Sequence, residues 1–227
     1  MSEVLDRETS PPASEESSAT GAGPVIVVNR RRLDIGLMMF GALLILVLLV
    51  AGALLTWGSN FAENYVHDEL AAQNITFPEA DALIEQGRDD LAGYGGEQVT
   101  TGKQAEAYSS YIGGHVEGIA DGATYAELGG PERAASAAAA EAIANGAPAG
   151  EVAALEEEAA ALTEQRESIF RGEMLRGALL NTYAWSTIGR IAGIAAIAAF
   201  IGAATLLVLV VAGVIHLRRT RMSHFSS

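Results

Sequence analysis

Two apolar runs, Ile35 to Trp57 and Ile191 to Leu217, contain no Asp, Glu, Lys or Arg. No other feature restricts this chain as strongly. At about 1.5 Å of rise per residue, either run as a helix exceeds the ~30 Å hydrocarbon core of a bilayer. The buried helix of a soluble protein is rarely so long and so uniformly apolar. Both runs are therefore predicted to be spanning helices. The apolar residues of the 227-residue chain gather near its ends instead of supplying one soluble core.

The flanking charges predict an orientation. Arg30, Arg31 and Arg32 stand directly before the first run, and Arg218, Arg219 and Arg221 directly after the second. Basic residues beside a span are retained in the cytoplasm, so both termini are expected to point inward. Trp57, Tyr183 and Trp185 then fall near the outer head-group level, where amphipathic rings are favoured. The expected organisation has six parts. Residues 1–29 form a disordered cytoplasmic tail, 30–34 a basic juxtamembrane segment and 35–57 the first span. Residues 58–190 form an extracytoplasmic acidic domain, 191–217 the second span and 218–227 a basic cytoplasmic tail. A competing reading takes the first run, with Ala51-Gly52-Ala53, as a cleaved signal peptide. The tail before the basic cluster is long for that, and the apolar run continues through Leu54, Leu55 and Trp57, so a retained span is expected.

Charge limits the partners. The formal net charge is -14, and residues 58–189 carry 22 acidic against 6 basic side chains. Such a surface repels phosphate backbones and excludes nucleic acid as a partner. It would accept cations or a basic protein, or simply remain a solvated exterior. The absence of cysteine excludes disulfides and thiolate metal sites.

The middle segment is read as helical throughout, giving an all-α fold: a two-helix transmembrane hairpin with an extracytoplasmic helical bundle inserted between the spans. The first span is expected to continue outward through Phe61, Tyr65 and Leu70 to end near Asn74. Pro78 suits the first turn of a new helix. Gly93, Gly95 and Gly96 mark a loop. A helix begins after Thr100-Thr101-Gly102, with an apolar stripe of Tyr108, Tyr111, Ile112, His115, Val116 and Ile119, and Asp121-Gly122 closes it. Pro131 is expected to open an Ala-rich helix ending near Asn145-Gly146. From about Ala149 a last helix runs into the second span, with Leu155, Leu162 and Ile169 on one face.

The spans are expected to pack on each other in their outward halves. The outward half of the second holds Gly189, Ala192, Gly193, Ala196, Ala199 and Ala203, and the outward end of the first holds Ala51, Gly52 and Ala53. Small residues let backbones approach closely in lipid. The Leu- and Val-rich inward halves are expected to face lipid. Gly189 and Gly193 also match a dimerisation motif, so a homo-oligomer stays open.

No set of side chains reads as a reaction centre. Glu63 and His67 are one helical turn apart but lack a further ligand. Gly96 to Lys103 fails the phosphate-loop pattern, because Glu97 stands where the first glycine is required and Gln104 follows Lys103. No Gly-x-Ser-x-Gly elbow occurs. Neither span carries a charge that would support an ion path. No catalytic residue, metal ligand or cofactor is expected.

Several segments nonetheless form a familiar set. They are Thr101-Gly102-Lys103-Gln104-Ala105-Glu106-Ala107-Tyr108, Tyr111-Ile112-Gly113-Gly114-His115 and Gly122-Ala123-Thr124-Tyr125-Ala126-Glu127. Phe170-Arg171-Gly172-Glu173-Met174-Leu175-Arg176-Gly177 and Leu179-Leu180-Asn181 complete it. Together they resemble a family of uncharacterised actinobacterial two-span membrane proteins, over roughly residues 35–217. Members often carry a transferred label, aromatic ring-opening dioxygenase small subunit. That chemistry needs iron held by His and carboxylate, and the outer segment has two histidines, His67 and His115, about 48 positions apart. The resemblance implies a multi-pass protein of a bacterial plasma membrane and no established activity.

The leading expectation is a non-enzymatic accessory component of a membrane or envelope complex, contacting a protein partner through its outer domain. A ligand-sensing ectodomain working with a separate signalling partner is the alternative. A dioxygenase-related subunit is the minor one.

Overall fold

The computed structural model describes residues 30–223, without the side chains of 30, 31 and 220–223. The disorder expected of residues 1–29 and the end of the basic tail at 224–227 lie outside the described residues. Among those described, the fold is all-α. It contains α1 (Arg30–Gln73), α2 (Ala80–Glu85), a 3-10 helix (Asp89–Tyr94), α3 (Gly102–Ile119), α4 (Tyr125–Ala144) and α5 (Ala149–Ser223). The only extended pairing among the described residues is an isolated antiparallel bridge between Thr76 and Gln98.

The two apolar runs lie inside two very long helices. α1 has 44 residues and α5 has 75, or about 110 Å of continuous helix for α5. Both are long and apolar enough to cross a membrane, and only 11% of each most apolar window is buried within the protein. A core helix of a soluble protein would be mostly buried, and these windows are not. The basic residues continue the helices: Arg32, Arg218 and Arg219 are exposed, and Arg30, Arg31 and Arg221 lie on helical backbone.

α1 and α5 run antiparallel along one seam. A Cβ placed on Gly189 would lie 2.9 Å from the Ala62 Cβ, and one on Gly193 2.9 Å from the Ser59 Oγ. Further along, Gly52 meets the Phe200 ring at 2.9 Å, Gly202 meets Leu48 at 3.5 Å and Gly41 meets Val210 at 2.8 Å. Gly189, Ala196 and Ala203 are buried in this seam, while Ala51, Ala192, Gly193 and Ala199 are half-buried. Ala53 is exposed, and α1 places Ser59, Ala62 and Val66 in buried positions instead. Most Leu and Val side chains of the inward halves are exposed, yet the seam continues between these halves. Gly41 opposite Val210 and Gly213 opposite Met38 extend the seam to their end. The physical reason is a repeat of three-, four- and seven-residue steps along α1, through Gly41, Leu48, Gly52, Ser59, Ala62 and Val66, which keeps one stripe toward α5.

Between the long helices the chain builds a small packed domain. α1 ends at Gln73, and the φ of 55° at Asn74 turns the chain out of the helix. Phe77 donates its N–H to Glu97 O at 2.9 Å and Val99 to Ile75 O at 2.8 Å, which pins the returning strand of chain beside the end of α1. Val66, Leu70, Phe77, Val99, Ala105 and Leu179 form one buried cluster. Val116, Leu128 and Ile169 form a second, with Leu162 packed against it. Gly95 admits a close approach of Ala80, whose backbone N would lie 2.5 Å from a Cβ there.

Two helices begin on capping boxes, Thr101 with Gln104 and Thr124 with Glu127. The second corrects the expected start of the Ala-rich helix. α4 opens at Tyr125, and Pro131 sits inside it. A proline there removes one intrahelical hydrogen bond. The cap and the packing of Gly129 beneath Arg166 hold the turn before it. Pro78 likewise precedes α2 by two residues instead of opening it.

Candidate functional site

A groove of about 850 Å³ lies between α3, the turn before α4 and α5. α3 and α5 run antiparallel here: Gly102 faces Ser186, Gly113 faces Arg176 and Gly172 faces Val116. The glycines set the spacing. A Cβ on Gly172 would stand 2.2 Å from the Val116 Cγ2, and one on Gly102 2.2 Å from the Ser186 Cβ. No larger residue fits at either position without moving a wall of the groove.

The lining mixes an apolar floor with charged rims. Val116 and Ile169 are buried beneath it, and Leu180 closes one end while remaining 42% exposed. Glu106 and Glu117 stand on the α3 rim, and Glu173 and Arg176 on the α5 rim. Arg176 forms an ion pair with Glu173, and its Nε is buried without a hydrogen-bond partner. Gly113 makes room for that guanidinium, since a Cβ there would lie 3.1 Å from the Nε. Ser109 is spent locally, donating to Glu106 O at 2.9 Å. Tyr125, at the upper end, meets exposed Phe170 in a tilted contact with 5.6 Å between ring centroids.

Two arginine clamps hold the walls. Arg88 binds Asp90 through Nε and Nη2, and donates to Ser110 O at 3.0 Å and Ser110 Oγ at 2.9 Å. The hydrogen bonds from Arg88 hold the Asp90 carboxyl below its ordinary range, and raise Arg88 in turn. Arg166 pairs with Glu132, donates to Tyr125 O at 3.2 Å and lies 4.1 Å from the Tyr125 ring centroid. It thereby ties α4 and its opening turn to α5. The Glu127 carboxyl is held below its ordinary range by the Thr124 backbone N–H and hydroxyl. Burial pushes the Tyr108 hydroxyl up.

The other sequence candidates do not meet in the groove. Glu63, His67 and His115 are exposed, and His115 Nδ1 lies 3.1 Å from Tyr111 O. The buried stripe of α3 runs through Gly102, Ala105, Ser109 and Val116, which leaves His115 at its margin. Among the described residues no group of three or more His, Asp or Glu is placed to hold a metal. Trp57 is 68% exposed and Trp185 51% exposed, while Tyr183 is half-buried under the start of α3. Trp57 also begins an exposed ladder, stacked on Phe61 at 5.8 Å, with Phe61 on Tyr65 at 6.1 Å.

Sequence reading overlooked Arg176, Tyr125 and Phe170 as neighbours, because α5 meets α3 and the start of α4 only across more than forty residues of chain. The pattern that hints at them is the pair Gly113-Gly114 and the single Gly172, glycines inside otherwise sound helices. The groove offers surfaces for binding and no nucleophile paired with a base. The fold and groove define a helical protein with two membrane-length helices and a concave acidic domain. No family model matches the chain, no curated protein is similar to it, and no solved structure matches it.

Proposed function

We propose that the chain is a two-span protein of a bacterial plasma membrane, with both termini cytoplasmic, that acts without catalysis as an accessory component of a membrane or envelope complex. The intervening acidic domain stands outside and docks a protein partner. One observation carries this reading. α5 is a single helix that supplies an apolar membrane-length run and also one wall of the groove. A docked partner would thus be held at a fixed height and direction above the lipid. The arginine clusters at Arg30 to Arg32 and Arg218 to Arg221 support the orientation.

Protease added to intact cells tests the topology. Cleavage between residues 58 and 190, with both terminal tags protected, is expected. Cleavage of the tags with the domain protected would reverse the orientation. Purification in mild detergent tests the accessory role: a stoichiometric membrane or envelope partner is expected, and the chain alone would count against it. The ligand-sensing alternative is favoured by the concavity of the groove. A thermal shift of the full-length protein with a small molecule, and no protein partner, would select it.

A further inference from the structure

We infer that the groove between α3 and α5 seats a basic amphipathic helix of the partner, an inference that rests on the docking reading above. The shape comes first. From Glu106 to Glu117 on α3, and from Ile169 to Leu180 on α5, each wall rises about 16 Å, or three helical turns. Two antiparallel helical walls accept a third helix along their furrow. No exposed strand edge stands beside the groove to receive an extended peptide, so a helix-in-groove mode is the one that fits.

The floor and its margin supply apolar anchors. Tyr125 is 42% exposed and Phe170 49% exposed, although the surrounding domain surface is strongly acidic. Exposed aromatic pairs beside an apolar floor are what a docked helix covers at the centre of its contact. The rims supply the sign. Glu173 is occupied by Arg176, whereas Glu106 and Glu117 have no ion-pair partner among the described residues. These two carboxylates lie on one side of α3, three turns apart, and would meet Lys or Arg near the two ends of the visiting helix.

Charge argues against other occupants. A second copy would bring a like-charged domain, with 22 acidic against 6 basic side chains over residues 58–189. Its basic clusters sit more than about 50 Å down the long helices from the groove. A small polyamine would satisfy the rims but leave Tyr125, Phe170 and Leu180 uncovered.

The test uses full-length protein in uncharged detergent. The probe is a labelled Lys/Leu amphipathic helix of about 14 residues, roughly 20 Å long, read by fluorescence anisotropy. Binding is expected, weakening with salt. Glu106→Gln with Glu117→Gln should weaken it about tenfold or more, equivalent to about 1.4 kcal/mol. Ala126→Trp, which fills the groove mouth, and Phe170→Ala, which removes an exposed ring, should each weaken it severalfold at unchanged helicity. Two readouts would overturn the inference. One is equal weakening by Glu156→Gln with Glu157→Gln, far up α5, which would mean diffuse attraction. The other is displacement of the probe by spermidine at equal concentration, which would mean a small-cation site. A Glu/Leu version of the peptide must not bind. These readouts do not depend on which side of the membrane the domain occupies, so a failed topology test and a failed groove are told apart.

Discussion

The seam between the apolar runs and the domain that separates them are built from opposite materials. Along the seam, each close contact has a residue with little or no side chain on at least one side: Gly189 meets Ala62 and Gly193 meets Ser59, while Gly52 admits Phe200 and Gly41 admits Val210. In the domain contact is made by Phe77, Leu83, Val99 and Ile169, all 2% exposed or less. The difference follows the solvent. Lipid offers no hydrophobic gain for bringing two apolar helices together, so close backbone approach must hold them. Water does reward burial of large side chains, at roughly 25 cal/mol per Å².

If the two regions are as independent as their materials, damage to one leaves the other intact. Phe77→Ala is expected to have the largest effect, costing the domain about 3–5 kcal/mol. Chemical denaturation followed by near-ultraviolet dichroism measures it. In the same variant a disulfide between Gly41→Cys and Val210→Cys should still form, a clean readout because the chain has no cysteine of its own. Loss of that crosslink would show the seam to depend on the domain.

Glycine sharpens the contrast, because it serves both regions. Gly172→Ala should cost the domain about 1–3 kcal/mol by overpacking against Val116. The double variant with Val116→Ala should recover most of it, as thermal unfolding would report. Gly189→Leu should cost the seam about 1–2 kcal/mol. Its signature is a lower thermal midpoint in detergent with the domain's own spectrum preserved.

The caps come next. Thr124→Ala should destabilise the start of α4 by about 1 kcal/mol. The partner carboxyl adds a pH dependence. Glu127 is held below its ordinary range in the folded chain, so the unfolded chain takes up the proton first. Its contribution is complete above the unfolded value near pH 4.3 and is lost as pH falls through the lower folded value. Acid titration of Glu127→Gln should lack that component. Smallest of all is Arg171→Ala, whose ion pair with Glu167 is 76% and 60% exposed, and which should move stability by less than about 0.5 kcal/mol.

Much of this architecture was readable in the residues. Charge-free apolar runs marked both long helices, Thr100-Thr101-Gly102 marked the start of α3, and the proline-free stretch after Ala149 marked the length of α5. The start of α4 was obscured because Gly129-Gly130-Pro131 has the composition of a break. The capping box of Thr124 and Glu127 just before it decides the matter, since each side chain takes up the other residue's N–H. The six-residue 3-10 helix at Asp89–Tyr94 lacks a periodic apolar face and reads as loop. The seam was legible in composition but not in register. Ala53 and Gly52 are equally small, and only the direction each takes from the helix axis separates them. The groove could not be read at all, because its walls come from segments brought together by tertiary packing.

α5 contains no proline between Ala149 and Ser223 and no adjacent glycine pair, the usual places where a helix bends sharply. A rod without a joint cannot decouple its two ends. Its part before Ile191 is about 63 Å long, so leaning it by ten degrees carries the tip sideways by about 11 Å and tips the apolar end through the same angle. Whatever grips the far end therefore steers the near one.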